Sequence, residues 1–246
     1  MTAMREEQLQ RVPTATTYSK DYWQGLKLAV PVILGYLPIA ISFGVLAVQT
    51  GISFFHSLLM SMTVYAGASQ FMALNMLAIG TVGLEIVLAT FILNLRHFVM
   101  SISLFSRLEH IPKRWQAVLA HGITDESFAL ASMKREELGS RPTAAIYLGI
   151  FSGAFGMWVI GTAAGAMIGN VVPGALSDSM GIALYALFIG LLVPAIRAYW
   201  KIGIIAAASA GLSWIFSMYF SEGWAIVLAT VIGSFAGVWV FKEAEK

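Results

Sequence analysis

The chain alternates long apolar runs with short polar connections. The long runs have about the 20 residues that a helix needs to cross the roughly 30 Å hydrocarbon core of a bilayer. They cover residues 28–48, 84–105, 143–172, 180–196, 202–220 and 224–241. Period-two alternation over about ten residues, the pattern of a membrane β-barrel, is not evident. We therefore predict an all-α polytopic membrane protein with about six spanning helices, in which residues 28–241 form one transmembrane domain between polar tails at 1–27 and 242–246.

Two further apolar segments, residues 54–79 and 115–133, are interrupted by glycine and polar residues. The interrupting sequences are Tyr65-Ala-Gly-Ala-Ser-Gln70 and His121-Gly-Ile-Thr-Asp-Glu126. Both contain the pattern Gly-x-Ser/Thr-Gln/Asp, and such paired interruptions are typical of transporters built from inverted repeats. We predict two broken or re-entrant helical segments. The alternative is an ordinary kinked helix over residues 54–77, which gives an odd number of spans.

The distribution of lysine and arginine predicts the orientation, because these residues mark cytoplasmic loops. Basic residues occur in the N-terminal tail, at 107–114, 134–141 and 197–201, and in the C-terminal tail. They are absent from the loops at 50–53, 81–83, 173–179 and 221–223. Both termini are therefore predicted to be cytoplasmic. All loops fall on their predicted sides only if each broken segment begins and ends on the same side of the membrane.

Composition excludes several classes of protein. The chain is 58% hydrophobic and 11% charged, whereas soluble domains carry about 25% charged residues. The net charge of +2 is spread over loops and tails, which argues against nucleic acid as a partner. There is no cysteine and no Gly-x-x-x-x-Gly-Lys-Ser/Thr loop, so thiol chemistry and ATP hydrolysis by that route are excluded. We expect no enzymatic activity, no cofactor and no metal site.

Arg96 and His97 lie within the apolar run 84–105. A charge at bilayer depth costs roughly 3 kcal/mol or more, so it normally faces a partner or a watery path. Asn94 shares a helical face with His97, and Arg96 offers a planar fork for a carboxylate. The trio is therefore predicted to line a transport path. In the alternative, the span shifts toward residues 71–93 and Arg96 and His97 extend to the cytoplasmic surface.

Asp125 and Glu126 are adjacent carboxylates between apolar residues. Either one is a candidate to receive an ammonium group, to pair with Arg96, or to carry a coupled proton, and His97 is a further proton candidate. Alternatively, Thr124 is the N-cap of a helix in a solvated loop.

A row of glycines at spacings of four predicts close helix packing along residues 143–172. The row is Gly149, Gly153, Gly161, Gly165 and Gly169. This face is suited either to a second subunit, giving an oligomer, or to another helix of the same chain.

Four short motifs occur in order along the chain. They are Pro38-Ile-Ala-Ile-Ser-Phe-Gly44, Tyr65-Ala-Gly-Ala-Ser-Gln-Phe71, Asn94-Leu-Arg-His97 with Met100-Ser101, and Gly122-Ile-Thr-Asp-Glu126. In these motifs the chain resembles the AzlC family, the large subunits of two-component branched-chain amino-acid exporters. The resemblance implies a bacterial inner-membrane permease that exports valine, leucine, isoleucine or analogues with a small AzlD-type membrane subunit. The family's motif positions correspond to Gly67, Ser69, Gln70, Asn94, Arg96, His97, Thr124, Asp125 and Glu126.

These observations lead to a hypothesis of an ion-gradient-driven exporter. Arg96, with backbone N–H groups at 67–70, would receive the substrate carboxylate, and Asp125 or Glu126 would receive its ammonium group. The competing hypotheses are a non-transporting membrane scaffold, in which Arg96 and Asp125 or Glu126 form a structural ion pair, and an ion channel.

Overall fold

The structure is a computed structural model that describes residues 15–106, 108–133 and 142–242, and these residues are helical with short connections. The helices are α1 (Ala15–Leu28), α2 (Val30–Gln49), α3 (Phe54–Thr63), α4 (Gly67–Ala78), α5 (Gly83–Phe105), α6 (Lys113–His121), α7 (Asp125–Met133), α8 (Ala144–Ile168), α9 (Gly174–Ala198), α10 (Trp200–Ser217) and α11 (Glu222–Lys242). The all-α prediction is confirmed. Arg107, the predicted inner loop 134–141, the first part of the N-terminal tail and the end of the C-terminal tail lie outside the described residues.

Each of the long apolar runs corresponds to one long helix. Within the described residues, α2, α5, α8 and α10 are long and apolar enough to cross a membrane, and α11 contains a shorter apolar stretch at Gly223–Gly237. The run at 180–196 lies within α9. The polar N-terminal segment is helical from Ala15 onward, so part of the predicted tail forms α1.

Both interrupted segments are broken helices, as predicted. Residues 64–66 separate α3 from α4, and residues 122–124 separate α6 from α7. Tyr65 has a φ of +43°, which is rare for a residue with a side chain, so this break stores backbone strain. The pattern Gly-x-Ser/Thr-Gln/Asp, which both segments share, has a different position relative to the helices in each segment. Gly67 is the first residue of α4, whereas Gly122 belongs to the connection before α7.

The chain forms two compact units, and each is described by itself. Unit 1 contains Met1–Tyr36 and Met100–Met157, and unit 2 contains Leu37–Val99 and Trp158–Lys246. The apolar core of unit 1 combines Leu119, Ile123, Ile150 and Phe151 with residues of α1 and α5. In this unit α1 packs closely on α8, since a Cβ added at Gly149 would lie 2.1 Å from the Tyr22 carbonyl oxygen.

In unit 2 the glycines of α8 face α2. A Cβ added at Gly161 would lie 2.6 Å from Ala40 Cβ, and one added at Gly165 would lie 2.0 Å from the Ile41 carbonyl oxygen. Further along, Gln49 Nε2 donates a hydrogen bond of 3.0 Å to the Gly169 carbonyl oxygen. The glycine row therefore packs within the chain, and these parts of α2 and α8 run parallel.

This parallel pairing restricts the topology. Two spanning helices that run in the same direction require an odd number of membrane crossings between them. Since α5 is a candidate span, we expect the two broken segments either both to cross or both to turn back. The parallel pairing argues against the alternative of a kinked helix over 54–77 that crosses alone and gives an odd number of spans.

Loops that are predicted to share a side of the membrane lie next to each other. In unit 2, the Ser221 hydroxyl donates to Glu85, and Gln49 Nε2 donates to the Val172 carbonyl oxygen at 3.2 Å. In unit 1, the Thr143 hydroxyl donates to Asp21 Oδ2 at 2.6 Å. These contacts agree with the pairing of loops in the charge-based scheme, whereas its inside-outside assignment stays a prediction.

Candidate functional site

A closed set of hydrogen bonds holds the first helix break in unit 2. Trp158 Nε1 donates to Gln70 Oε1 at 3.0 Å, and Gln70 Nε2 donates to Ser61 Oγ at 3.1 Å. Ser61 Oγ lies 2.7 Å from Thr162 Oγ1, which donates to the Trp158 carbonyl oxygen at 2.8 Å. We call Ser61, Gln70, Trp158 and Thr162 the Gln70 ring. All of its side chains are buried, so it ties α3 and α4 to α8.

The break itself is held by the same side chain. The Ala66 N–H donates to Gln70 Oε1 at 3.3 Å, and the Ser69 hydroxyl donates to the Ala66 carbonyl oxygen at 2.9 Å. Gly67 lies against the indole of Trp158, where an added Cβ would be 2.8 Å from a ring carbon. The predicted site residues Gly67, Ser69 and Gln70 thus lie at the break, and Ser69 and Gln70 are buried.

Arg96 lies deep within α5, about 20 Å from the first residue of the helix and about 14 Å from its last at 1.5 Å per residue. The span alternative at 71–93 is wrong, because residues 79–82 are not helical and Gly80 has a φ of +77°. Arg96 and His97 are therefore part of one continuous apolar helix.

The exposed side of α5 is a single apolar face. It consists of Leu84, Val87, Phe91, Leu95, Phe98, Val99 and Ile102. At 100° per residue, Arg96 and His97 lie about 120–140° from the centre of this face, on opposite sides of it. The composition of the face suits lipid, and both ionisable residues lie off this face. The oxygen of Asn94, which lies nearer the face, is buried and has no hydrogen-bond partner among the described residues.

In unit 1, Thr124 caps the second half-helix of the other broken segment. The Ser127 N–H donates to Thr124 Oγ1 at 3.2 Å, and the Thr124 N–H donates to Ser127 Oγ at 2.8 Å. This reciprocal pair is a capping box with serine at the third position. The predicted N-cap is thus confirmed, and the side chains of Thr124 and Ser127 are buried.

The two carboxylates occupy the first turn of α7, where negative charge favours the helix dipole. Glu126 also has a specific partner, since the Tyr36 hydroxyl donates to Glu126 Oε2 at 2.5 Å. The same hydroxyl lies 2.7 Å from Thr124 Oγ1. Glu126 is therefore held by α2 as well as by its own helix.

The predicted site residues fall into two groups. Gly67, Ser69, Gln70, Asn94, Arg96 and His97 belong to unit 2, and Thr124, Asp125 and Glu126 belong to unit 1. Within the described residues, no group of three His, Cys, Asp or Glu side chains is suited to hold a metal ion.

Sequence reasoning missed Tyr36, Ser61, Trp158 and Thr162. The sequence did contain an indication of these contacts, because Tyr36 and Trp158 lie inside apolar runs rather than at their ends. A buried tyrosine or tryptophan usually needs a partner for its O–H or N–H group. Mid-span aromatic residues of this kind therefore indicate buried polar contacts.

Long apolar helices, two broken segments and ionisable groups that lie off the exposed apolar face of α5 define a polytopic α-helical membrane protein. The family model described as AzlC protein matches residues 31–172. The chain belongs to the AzlC family, which confirms the resemblance found in its motifs.

Named relatives support this assignment. The inner membrane protein YgaZ of Escherichia coli strain K12 is 32% identical over 205 residues, which cover 82% of this chain and 84% of YgaZ. The branched-chain amino acid transport protein AzlC of Bacillus subtilis strain 168 is 25% identical over 173 residues, covering 67% of this chain and 63% of that protein. An uncharacterized membrane protein of Archaeoglobus fulgidus is 29% identical over 215 residues, 78% of this chain and 93% of that protein. No solved structure matches the chain.

Proposed function

We propose that this protein is a secondary transporter that exports branched-chain or similar apolar amino acids across the cytoplasmic membrane. The observation that carries the proposal is the position of Arg96 and His97, which lie mid-helix in α5 and off its exposed apolar face. A charged side chain in the middle of a membrane-spanning helix costs free energy unless it faces a transport path or a partner group. The similarity to a branched-chain amino acid transport protein supports the choice of substrate.

The substrate is a zwitterion with an apolar side chain, so it requires receptors for both charges. Arg96 is proposed to receive the carboxylate, because its guanidinium forms two parallel hydrogen bonds to such a group. Asn94, whose buried side-chain oxygen lacks a partner among the described residues, is proposed to line the transport path as a hydrogen-bond acceptor. In unit 1, Asp125 and Glu126 are proposed for the ammonium group or for a coupled proton, and His97 is a further proton candidate.

The buried side chains at the first break are assigned a different role. Because Gln70 is engaged by Trp158, Ser61 and the Ala66 amide, we propose that it shapes the break rather than binds substrate. Export driven by an ion gradient and cooperation with a small AzlD-type membrane subunit complete the proposal. The small subunit follows from the family resemblance, whereas the ion gradient is proposed because the chain has no Gly-x-x-x-x-Gly-Lys-Ser/Thr loop.

The test is efflux of preloaded radiolabelled valine and leucine, measured with and without the small subunit, for the wild type and Arg96→Gln. The matched control is Arg197→Gln, which removes an exposed arginine from the last turn of α9. We expect Arg96→Gln to lower efflux about 30-fold or more, since loss of a desolvated charge pair costs about 2 kcal/mol or more. The control should transport normally.

The outcomes separate the alternatives. Unchanged efflux by correctly inserted Arg96→Gln would remove Arg96 from the substrate path. Ion current without amino acid movement would favour a channel. A wild type that is inserted but inert toward both substrates and ions would favour the scaffold.

A further inference from the structure

Tyr36 makes a contact that the proposed transport site does not yet explain. Its side chain is buried, on the part of α2 that belongs to unit 1. Its hydroxyl lies 2.5 Å from Glu126 Oε2 and 2.7 Å from Thr124 Oγ1. One phenol thus bridges a carboxylate and the N-cap hydroxyl of α7.

The contact continues from Thr124 to the helix break. Thr124 Oγ1 donates to Ser127 Oγ at 3.1 Å, and Ser127 Oγ donates to the Gly122 carbonyl oxygen at 3.0 Å. Glu126, three hydroxyl groups and a backbone carbonyl therefore form one continuous hydrogen-bonded path. The path ends at the first residue of the break at 122–124.

The direction of this path depends on the charge of Glu126. A phenol has a single proton, so Tyr36 cannot donate fully to Glu126 and to Thr124 at the same time. An ionised carboxylate only accepts, so it takes the Tyr36 proton, and Thr124 is then free to donate to Tyr36. A protonated carboxyl donates to the Tyr36 oxygen, so Tyr36 turns to Thr124 and Thr124 turns to Ser127.

We propose that Tyr36 and Thr124 form a hydroxyl relay, which ends at Ser127, and that its hydrogen bonds between Glu126, Tyr36 and Thr124 reverse direction when Glu126 gains or loses a proton. The relay makes Glu126 the coupling carboxylate, and Tyr36 and Thr124 its positioning residues. It transmits the protonation state of Glu126 to the N-cap of α7. The inference rests on the proposed function in that it names the site of ion coupling.

The proton balance is simple. A proton from water binds Glu126 Oε2 and is shared with the Tyr36 oxygen, while Tyr36 keeps its own proton and stays neutral. Release follows the reverse order. Other titratable groups near this position are Asp125 beside it, His121 at the end of α6, and Tyr147 of α8, which belongs to the same buried cluster as Ile123.

The first test observes the relay without transport. Infrared difference spectra of the purified protein in lipid, recorded across a pH titration, should contain a protonated carboxyl band that disappears in Glu126→Gln. In Tyr36→Phe this band should move to higher wavenumber, because the carboxyl loses its phenol partner. A band that is unaffected by Glu126→Gln, or unmoved by Tyr36→Phe, overturns the relay.

The second test compares two modes of transport in proteoliposomes. Proton-driven net efflux requires Glu126 to change its protonation state, whereas amino acid counterflow does not. Tyr36→Phe and Thr124→Val should lower net efflux about tenfold or more, the factor expected for one hydrogen bond to a charged group, and Tyr36→Phe should leave counterflow near the wild-type rate. Thr124→Ser keeps the hydroxyl and the cap, so it should behave as wild type.

The results distinguish the relay from the proposed function. Equal losses of net efflux and counterflow in Tyr36→Phe would show a structural role and overturn the relay. Unchanged net efflux in Tyr36→Phe would also overturn it. If the wild type moves no amino acid in either mode but the infrared shift is present, the proposed function and the coupling role of Glu126 fail, whereas the hydrogen-bonded relay from Glu126 to the N-cap of α7 stands.

Discussion

The close approach of α2 and α8 can be tested by adding a single methyl group. Gly165→Ala places a Cβ 2.0 Å from the Ile41 carbonyl oxygen, whereas ordinary contacts begin at 3.4 Å. The shortfall of about 1.4 Å involves a backbone atom, which cannot rotate away as a side chain can. The two helices must therefore separate locally.

The free energy of this separation follows from packing. Overfilling a close-packed contact costs about 1–3 kcal/mol, and a gap of about 1 Å between the helices loses up to half of each dispersion contact. Alanine regains up to about 1 kcal/mol through its higher helix propensity. We expect Gly165→Ala to lower the free energy of unfolding by about 1–2 kcal/mol.

The same helix supplies a matched control. A Cβ at Gly156 would meet no described atom within 4 Å, so Gly156→Ala should be neutral or stabilising. Gly44→Ala approaches the contact from α2, where its Cβ would lie 2.2 Å from the Thr162 carbonyl oxygen, and should destabilise as Gly165→Ala does. Thermal unfolding of the purified variants in one detergent gives the order of stability. If Gly165→Ala is as stable as Gly156→Ala, the reasoning about this contact is wrong.

Two further predictions concern the Gln70 ring and the topology. Thr162→Val leaves the buried Ser61 hydroxyl without its acceptor, so it should lower the free energy of unfolding by about 1–2 kcal/mol in the same thermal assay. Thr162→Ser keeps the hydroxyl and should unfold like the wild type. Equal unfolding midpoints for the two variants would contradict this role. Because the chain has no cysteine, single cysteines at Thr81, Ser221 and His110 report sidedness directly. An impermeant maleimide added to intact cells should label the first two positions and not His110→Cys, and labelling of all three would refute the charge-based orientation.

The sequence by itself determined the architecture of the membrane domain. Apolar runs of about 20 residues can satisfy their backbone hydrogen bonds within a bilayer only as helices or closed barrels, so length and composition predicted the long helices. Glycine and polar residues inside two apolar segments predicted the breaks at 64–66 and 122–124. These are local properties, since each depends on a few neighbouring residues and on the solvent around them.

The sequence also placed Arg96 and His97 in an apolar run, but it was compatible with a spanning helix at either 84–105 or 71–93. The non-helical residues 79–82 decided between them, because they end α4 before α5 begins. The glycine row on α8 was equally ambiguous, since small residues permit a close approach without specifying the partner helix. Only the contacts with Ala40 and Ile41 showed that this partner is α2.

Tertiary structure alone decided which polar groups meet. Gln70 and Trp158 are 88 positions apart, and Tyr36 and Glu126 are 90 apart. No periodicity or spacing in a single sequence encodes such pairs, because they depend on how whole helices pack. Burial makes the pairs obligatory, since an unpaired polar group in an apolar interior costs about 1–3 kcal/mol. The sequence therefore specified which residues had to find partners, and helix packing specified which partners they found.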